Sequence, residues 1–145
     1  MSKIKCLIID LDDTIIDDTE NHRGAFKHIL EYLQITYQEE LFQKWLEFNS
    51  YYWNEYFKSI KVPSKYLKSG ETKPEYLRGM RFPLFFKRNL NPIAMQKEFK
   101  ERLRKNIVAL PGAVETLREL SQDYPIYIST NGDSKVAKEK IRRIG

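Results

Sequence analysis

The stretch that decides the fold is KCLIIDLDDTIIDD, residues 5–18, in which five aspartates directly follow a short apolar run. Residues 4–9, IKCLII, are rich in branched apolar side chains and nearly apolar on both faces. A short run of this kind predicts a central strand of a parallel sheet. Asp10 and Asp12 then come at the end of that strand and project to the same side, because side chains alternate along an extended chain.

A second apolar run, PIYIST at residues 125–130, is closed by Asn131 and Gly132 and predicts another strand. Most of the sequence between the two runs has the apolar spacing of helices. Two strands separated by a helix favour a right-handed crossover and a parallel sheet. The predicted fold class is therefore α/β, with a Rossmann-like parallel-sheet core.

The segment between the strands contains several predicted amphipathic helices, in which apolar residues recur at spacings of three and four. A cluster of Pro and Gly predicts a loop at residues 62–74. The predicted helices span 23–35, 38–57, 74–88 and 92–106, and two more follow Pro111-Gly112 and Gly132, the last with Asp133 or Ser134 as its N-cap.

The domain organisation follows from where this helical segment leaves the predicted sheet. It starts at the carboxyl end of the first strand, which is the ligand-binding edge of an open parallel sheet. We therefore expect a core made of residues 1–16 and 107–145. Residues 17–106 are expected to form an inserted helical domain that acts as a lid over the aspartates.

The composition is that of a folded protein, because 41% of the residues are hydrophobic and 13% are aromatic. The net charge is +5, and residues 87–105 alone hold seven Lys or Arg against two Glu. Such a segment could meet nucleic acid, a membrane or a phosphorylated substrate. The solvated face of a helix is the favoured interpretation, since charged side chains are mostly exposed.

The single cysteine excludes an intramolecular disulfide and fits a reducing compartment. Cys6 lies within the apolar run, so we expect a small buried hydrophobic residue there. No apolar stretch approaches the roughly 18 residues of a membrane span. The uninterrupted run at 6–9 is also too short for the core of a signal peptide. A cytoplasmic protein without a membrane partner is expected.

Two carboxylates that converge at a strand end repel each other unless a hard cation offsets them, and Mg²⁺ suits a site shared with phosphate. Asp10 and Asp12 are the candidates for this pair, while Asp13 points to the other face and is predicted to be a turn or capping residue. An Asp-rich turn that only caps a helix, and chance, remain alternatives. A calcium loop does not fit, because Ile15 and Asn21 stand where it needs Gly and Glu.

The second strand ends in a hydroxyl, an amide and a glycine, directly before a predicted helix. Backbone N–H groups at this place, with the side chains of Thr130 and Asn131, predict a phosphate cradle. An Asn-Gly hairpin turn is the alternative, but the following residues have helical spacing. Both strand ends lie on one edge of a parallel sheet, so an acid pair and a phosphate cradle converge there and indicate phosphoryl chemistry.

The two strand ends resemble the haloacid dehalogenase (HAD) superfamily of phosphohydrolases. IIDLDDTI at 8–15 is similar to its first motif, and IYISTNG at 126–132 is similar to its second. The helical insert resembles the family's C1-type cap, and LPGAVETLREL at 110–120 resembles the segment that returns to the core. RGMRFPLF at 78–85, together with LPGAV and STNG, is most similar to the subgroup that hydrolyses nucleoside 5′-monophosphates.

The resemblance implies a role for each matched residue. Asp10 would attack phosphorus and form an aspartyl-phosphate. Asp12 would protonate the leaving alcohol and then deprotonate water, and an acid at this position favours a phosphate ester over a haloacid. Mg²⁺ would be held by the Asp10 carboxylate and the Asp12 backbone carbonyl. Thr130 would hydrogen-bond the phosphoryl group, assisted by the Asn131 backbone, while Ser129 should point away.

The family's third motif, a lysine, and its fourth, a pair of acids, follow strands beyond the second. None of the lysines in SKVAKEKIRR at 134–143 follows a third strand, so the resemblance transfers the role to none of them. We therefore expect an incomplete core, the N-terminal part of a longer protein, with weak or absent phosphatase activity in isolation. A naturally short relative is the alternative.

The expected function is a Mg²⁺-dependent phosphatase that acts on a small phosphorylated metabolite, for which a nucleotide is one candidate. No nucleic-acid partner is expected, and the oligomeric state is left open. A non-catalytic binding protein of the same fold, and a phosphomutase, are the alternatives. Tyr51, Tyr52, Trp53 and Arg81 could line a nucleobase pocket, or they could pack the core of the helical domain, which is favoured for the aromatic residues.

Overall fold

The computed structural model describes residues 4–67, 72–132 and 134–145. The predicted N-cap Asp133 and residues 68–71 of the predicted loop lie outside these ranges. The strands and α-helices are β1 (Leu7–Asp10), α1 (Asp18–Tyr32), α2 (Glu39–Tyr51), α3 (Thr72–Gly79), α4 (Arg81–Phe86), α5 (Pro92–Lys105), α6 (Ala113–Asp123), β2 (Ile126–Ser129) and α7 (Ser134–Ile144). A π-helical turn (Tyr52–Tyr56) and 3₁₀ turns (Phe57–Ser59 and Ser64–Tyr66) complete the described elements.

The two strands form a parallel sheet, which confirms the predicted α/β fold class. Leu7 pairs with Ile126, and the register continues to the pair Asp10 and Ser129. β1 begins three residues later than predicted. The Leu7 N–H donates to the carbonyl of Pro125 (2.9 Å), and Pro125 has no N–H with which to extend the pairing towards residues 4–6.

Only one face of the described sheet is covered. Leu7 and Ile9 are half-buried, whereas Ile8 is 72% exposed and its register partner Tyr127 is 60% exposed. The prediction of a strand covered on both faces is therefore wrong for the described residues. The prediction that Cys6 is buried is also wrong, because Cys6 precedes β1 and falls on the alternation with Ile8, away from the core.

The chain divides into two compact units. The sheet unit consists of Met1–Gly24 and Leu103–Gly145, and the helical unit is Ala25–Arg102. These bounds lie close to the predicted core and insert, but α1 and α5 each continue from one unit into the other. The roles of the two units as catalytic core and lid remain proposals.

The core of the sheet unit is aliphatic. Leu11, Ile15 and Ile16 are almost completely buried, and they cluster with Ala137 of α7. Side chains from both strands, from α6 and from the end of α7 pack against this cluster: Ile9, Ile107, Ala113, Leu117, Ile128, Ile141 and Ile144. The apolar residues interleaved with the five aspartates therefore anchor the acidic stretch to the core.

The helical unit is built around aromatic rings. Trp45 stacks on Phe26 and on Phe82, with ring centroids 5.2 and 5.1 Å apart. These three side chains are fully buried and come from α2, α1 and α4. Aromatic stacking of this kind adds to the stabilisation from the buried apolar area.

The helix predicted at 74–88 is broken into α3 and α4. Pro83 has no N–H to donate to the carbonyl of Gly79, so a continuous helix would lose that hydrogen bond. Gly79 is also packed closely, because a Cβ built there would overlap the backbone of Pro92. The break therefore has a local cause in the sequence, which the helical spacing of the apolar residues conceals.

Tyr52 and Arg81 are buried in the helical unit, so the interpretation in which they line a nucleobase pocket is wrong for both. Arg81 donates to the side-chain oxygens of Asn49 (2.6 Å) and Gln96 (3.2 Å) and to the carbonyl of Arg78 (2.8 Å). Burial lowers the pKa of Arg81 to about 10. Its hydrogen bonds therefore satisfy a guanidinium that water does not reach.

Tyr52→Phe is expected to lower the free energy of unfolding below pH 10 and to raise it, relative to the wild type, as the pH approaches 12. The buried Tyr52 hydroxyl donates to the carbonyl of Leu77, and burial raises the pKa of Tyr52 to about 12. Below pH 10 the variant should be less stable by about 1 kcal/mol, because the Leu77 carbonyl loses its donor. The raised folded-state pKa adds stability that is present below the unfolded pKa and lost as pH rises towards 12. For a shift of two units this loss reaches about 2.7 kcal/mol.

Urea unfolding followed by tryptophan fluorescence measures this, because Trp45 and Trp53 both lie in the helical unit. Above pH 11 the free energy of unfolding of Tyr52→Phe should exceed that of the wild type. Tyr51→Phe is the matched control, since it removes the same hydroxyl from a neighbouring side chain that is 55% exposed. Parallel pH profiles for wild type and Tyr52→Phe would contradict the buried hydroxyl.

Candidate functional site

The acidic stretch after β1 folds back on itself in a tight, hydrogen-bonded turn. Asp13 adopts a left-handed conformation (φ 59°), and its N–H donates to the carbonyl of Ile16 (2.8 Å). The N–H groups of Ile15 and Ile16 both donate to the carbonyl of Leu11 (3.0 Å). These hydrogen bonds fix the backbone on both sides of Asp12. Leu11 is fully buried, and Asp12 is half-buried.

Two of the five aspartates have roles at the start of α1. The Asp17 carboxylate accepts the N–H of Glu20 (2.9 Å), which is the arrangement of an N-cap. The Asp13 carboxylate accepts the N–H of Asp18 (3.2 Å), so Asp13 acts in the turn, as the sequence predicts. These contacts account for Asp13 and Asp17, and leave Asp10, Asp12 and Asp18 for other roles.

A buried lysine pairs with two of these aspartates. The Nζ of Lys140 lies 2.5 Å from Oδ1 of Asp12 and 3.0 Å from Oδ1 of Asp18, and Lys140 is 6% exposed. Burial lowers the pKa of Lys140, but its bonds to Asp12 and Asp18 outweigh burial, so the pKa of this ammonium lies above its ordinary value. Lys140 therefore places a positive charge next to the carboxylates of Asp12 and Asp18.

The family resemblance assigns no role to Lys140, and the only sign of one in the sequence is the helical spacing of apolar residues in α7. Ala137 is buried, and Ile141 and Ile144 also pack against the core of the sheet unit. Lys140 falls on this apolar side rather than on the charged side. A lysine on the core-facing side of a helix needs a partner, because an unpaired buried ammonium is costly.

The ends of the two predicted motifs meet at Gly132. The Thr130 hydroxyl oxygen accepts the N–H of Gly132 (3.0 Å). A Cβ built on Gly132 would lie 3.3 Å from Oγ1 of Thr130 and 3.8 Å from Oδ2 of Asp12. The Asp12 carboxylate and the Thr130 hydroxyl therefore both lie beside Gly132. Asn131, the other predicted phosphate-binding residue, is exposed and directly precedes Gly132.

Asp10 ends β1 with an exposed side chain. Within residues 4–67, 72–132 and 134–145, no side chain hydrogen-bonds or ion-pairs with its carboxylate. Its register partner is Ser129, and paired residues of a parallel ladder lie on the same face. Ser129 was expected to point away from the site, so this expectation is wrong with respect to Asp10.

The resemblance names the Asp10 carboxylate and the Asp12 backbone carbonyl as the oxygens that would hold a magnesium ion. The part of the chain that the structure describes contains no group of three or more His, Cys, Asp or Glu side chains arranged to hold a metal. Lys140 already binds the Asp12 side chain. Mg²⁺ commonly takes one or two protein oxygens and keeps waters and substrate oxygens as its other ligands. Two protein oxygens agree in number and in chemical type with that preference.

The fold is similar to those of two solved HAD hydrolases. The chain superposes on YfnB from Bacillus subtilis, described as a HAD-hydrolase bound to magnesium, with a TM-score of 0.77 and 20% sequence identity over 99% of this chain. Against the haloacid dehalogenase-like family protein SP0104 from Streptococcus pneumoniae, the TM-score is 0.52 with 16% identity over 99% of the chain. The chain spans only 61% and 57% of these two proteins.

No helix in the described ranges is long and apolar enough to cross a membrane.

The family assignment rests on the sequence as a whole. No curated protein is similar enough to match the chain. The family described as haloacid dehalogenase-like hydrolase matches residues 4–145, which include both strands and all the candidate site residues. This confirms the resemblance at the level of the superfamily, and the chain belongs to the haloacid dehalogenase-like hydrolase family.

Proposed function

We propose that the gene product containing this chain is a Mg²⁺-dependent phosphatase that hydrolyses a small phosphomonoester through an aspartyl-phosphate on Asp10. The observation that carries the proposal is that the Asp12 carboxylate and the Thr130 hydroxyl both lie beside Gly132, at the sheet edge where β1 ends in Asp10. Because the chain spans about three-fifths of the two solved HAD hydrolases, the activity is proposed for the complete gene product, whatever its length.

Asp10 supplies the nucleophile in the first step. Its exposed carboxylate forms a bond to phosphorus while the bond from phosphorus to the alcohol oxygen breaks. Asp12 begins this step protonated and gives its proton to that oxygen. In the second step a water oxygen attacks the same phosphorus and gives a proton to Asp12. The bond between Asp10 and phosphorus then breaks, which releases phosphate and restores both carboxyl groups.

The second motif binds the phosphoryl group. The Thr130 oxygen already accepts the Gly132 N–H, so the hydroxyl proton is available to donate to a phosphoryl oxygen. The backbone N–H of Asn131, an exposed residue directly after Thr130, would assist at the same place. Mg²⁺ bound to the Asp10 carboxylate and the Asp12 carbonyl would offset negative charge on the phosphoryl oxygens. That the similar protein YfnB is bound to magnesium supports this choice of metal.

The substrate class is a small phosphorylated metabolite, and a nucleoside 5′-monophosphate is the first candidate to test. The motif RGMRFPLF that suggests it contains Arg81 and Phe82, which are buried in the helical unit. These two residues therefore support packing rather than substrate contact. Trp53 and Phe57 line a cavity of about 220 Å³ in the same unit and remain available to a substrate. We place the protein in the cytoplasm because its single cysteine fits a reducing compartment.

Phosphate release from a substrate panel tests this proposal. The panel contains a nucleoside 5′-monophosphate, a sugar phosphate, a simple alkyl phosphate and p-nitrophenyl phosphate. We expect inorganic phosphate release that requires Mg²⁺ and stops with a chelator. Transfer of phosphate to another hydroxyl of the same substrate would indicate a phosphomutase. Binding of these compounds without turnover would indicate a non-catalytic protein of the same fold.

A further inference from the structure

We propose that Lys140 is a positioning residue that holds one oxygen of Asp12, so that the other oxygen lies towards Gly132 and the Thr130 hydroxyl. The role rests on the proposed phosphatase function, in which Asp12 passes a proton to the leaving alcohol. Lys140 would act through Asp12 and not on the phosphoryl group, because the only partners the structure gives its ammonium within the described ranges are carboxylates.

The two oxygens of Asp12 have different surroundings. Oδ1 is held by Nζ of Lys140 at 2.5 Å. Oδ2 is the atom that lies 3.8 Å from the Cβ position of Gly132, on the side of Thr130. A carboxylate that is free to rotate about its terminal bond presents either oxygen, since that torsion is broad. The bond from Lys140 therefore selects Oδ2 as the oxygen that meets the leaving group.

Lys140 can hold this orientation because it is itself fixed from two directions. Its stem is buried on the core-facing side of α7, and its ammonium is bound a second time by Oδ1 of Asp18 at 3.0 Å. Asp18 is tied to the turn through its own N–H, which donates to Asp13. A side chain held at both ends loses little further rotamer freedom when it binds Asp12, and general-acid catalysis depends on such positioning.

A leaving-group comparison separates positioning from simple structural support. An alkyl alcohol needs a proton as it leaves, whereas p-nitrophenolate leaves readily without one. The ratio kcat/KM reports steps up to leaving-group departure, so it does not contain the later hydrolysis of the aspartyl-phosphate. A loss of fold or of phosphate binding would lower kcat/KM for both substrates alike. A misplaced acid lowers it for the alkyl phosphate alone.

The experiment measures kcat/KM on both substrates for Lys140→Met in the complete gene product. We expect a fall of about 30-fold for the alkyl phosphate and less than about 3-fold for p-nitrophenyl phosphate, part of the 10²–10⁴-fold that general acids contribute. Lys140→Arg should recover most of the loss. Lys138→Met is the matched control, because Lys138 is exposed two residues away on the same helix and should not change either value.

Asp18→Ala covers the case in which Lys140→Met does not fold. It keeps Lys140 but removes the oxygen that forms its second anchor, and we expect a fall of about fivefold for the alkyl phosphate only. Equal falls for both substrates, or no change in any variant, would overturn the positioning role while leaving the phosphatase intact. A wild-type protein that releases phosphate from no compound of the substrate panel would overturn the proposed function, and the role of Lys140 with it.

Discussion

Asp10→Asn is expected to lower kcat by at least about 10³-fold on every phosphomonoester that the wild type hydrolyses. The amide is almost the same size as the carboxylate but is not a nucleophile, so no aspartyl-phosphate can form. Asp10 is exposed at the end of β1, and within the described ranges no side chain hydrogen-bonds or ion-pairs with its carboxylate, so the change should leave the fold intact. Steady-state phosphate release and the circular dichroism spectrum measure both effects.

Asp13→Asn is the matched control for this variant. Asp13 is three residues away, its carboxylate makes a structural contact only, and asparagine tolerates its left-handed backbone conformation. The amide oxygen of asparagine can still accept the N–H of Asp18. We expect activity within about twofold of the wild type. Equal losses in Asp10→Asn and Asp13→Asn would show that the acidic turn matters for structure and not for nucleophilic attack.

Asp12→Asn is expected to separate the two chemical steps. Without an acid, kcat/KM for an alkyl phosphate should fall about 10²–10³-fold, while kcat/KM for p-nitrophenyl phosphate should change less than about tenfold. Without a base, the aspartyl-phosphate should persist, so rapid mixing should show a burst of p-nitrophenol followed by slow turnover. A variant that loses kcat/KM equally on both substrates and shows no burst would contradict the role of Asp12 in proton transfer.

Much of the sheet unit could be predicted, because local patterns determine it. The apolar runs at 4–9 and 125–130 predict two strands, and the helix before the second strand predicts their parallel arrangement, which β1 and β2 confirm. The observed start of β1 differs from the predicted one because it depends on a pairing partner that is distant in sequence. β1 starts only at Leu7, because its pairing partner begins after Pro125. The exposed positions of Cys6 and Ile8 depend on which face is covered, and a short apolar run does not encode that.

The helical unit was predicted less well, because spacing of apolar residues finds a helical region but not its breaks. The break between α3 and α4 follows from Pro83 and from the close packing of Gly79. The burial of Arg81 depends on oxygen atoms from Asn49 and Gln96, which are distant in sequence. A charged residue is expected at the surface unless such partners are known.

In the candidate site, too, local sequence patterns predict some features, and others depend on residues that are distant in sequence. That Asp12 and Thr130 would lie close together follows from two parallel strands that end on one edge, and the structure brings these side chains to the same space beside Gly132. The pairing of Lys140 with Asp12 joins residues 128 positions apart. It could be suspected only from a lysine on the apolar side of α7. The sequence therefore predicted the reacting groups but missed the residue that orients one of them.

The central claim, a covalent phosphate on Asp10, can be measured directly. The complete gene product is mixed in excess with an active substrate, quenched in acid during the first turnover and treated with borohydride, which reduces an aspartyl-phosphate to homoserine. Trypsin releases the site as one peptide, residues 6–23, in which fragmentation separates the five aspartates. We predict homoserine at position 10 in the wild type and none in Asp10→Asn. Phosphate release by a protein whose quenched peptide shows no homoserine at any time, or shows it at another aspartate, would contradict the claim.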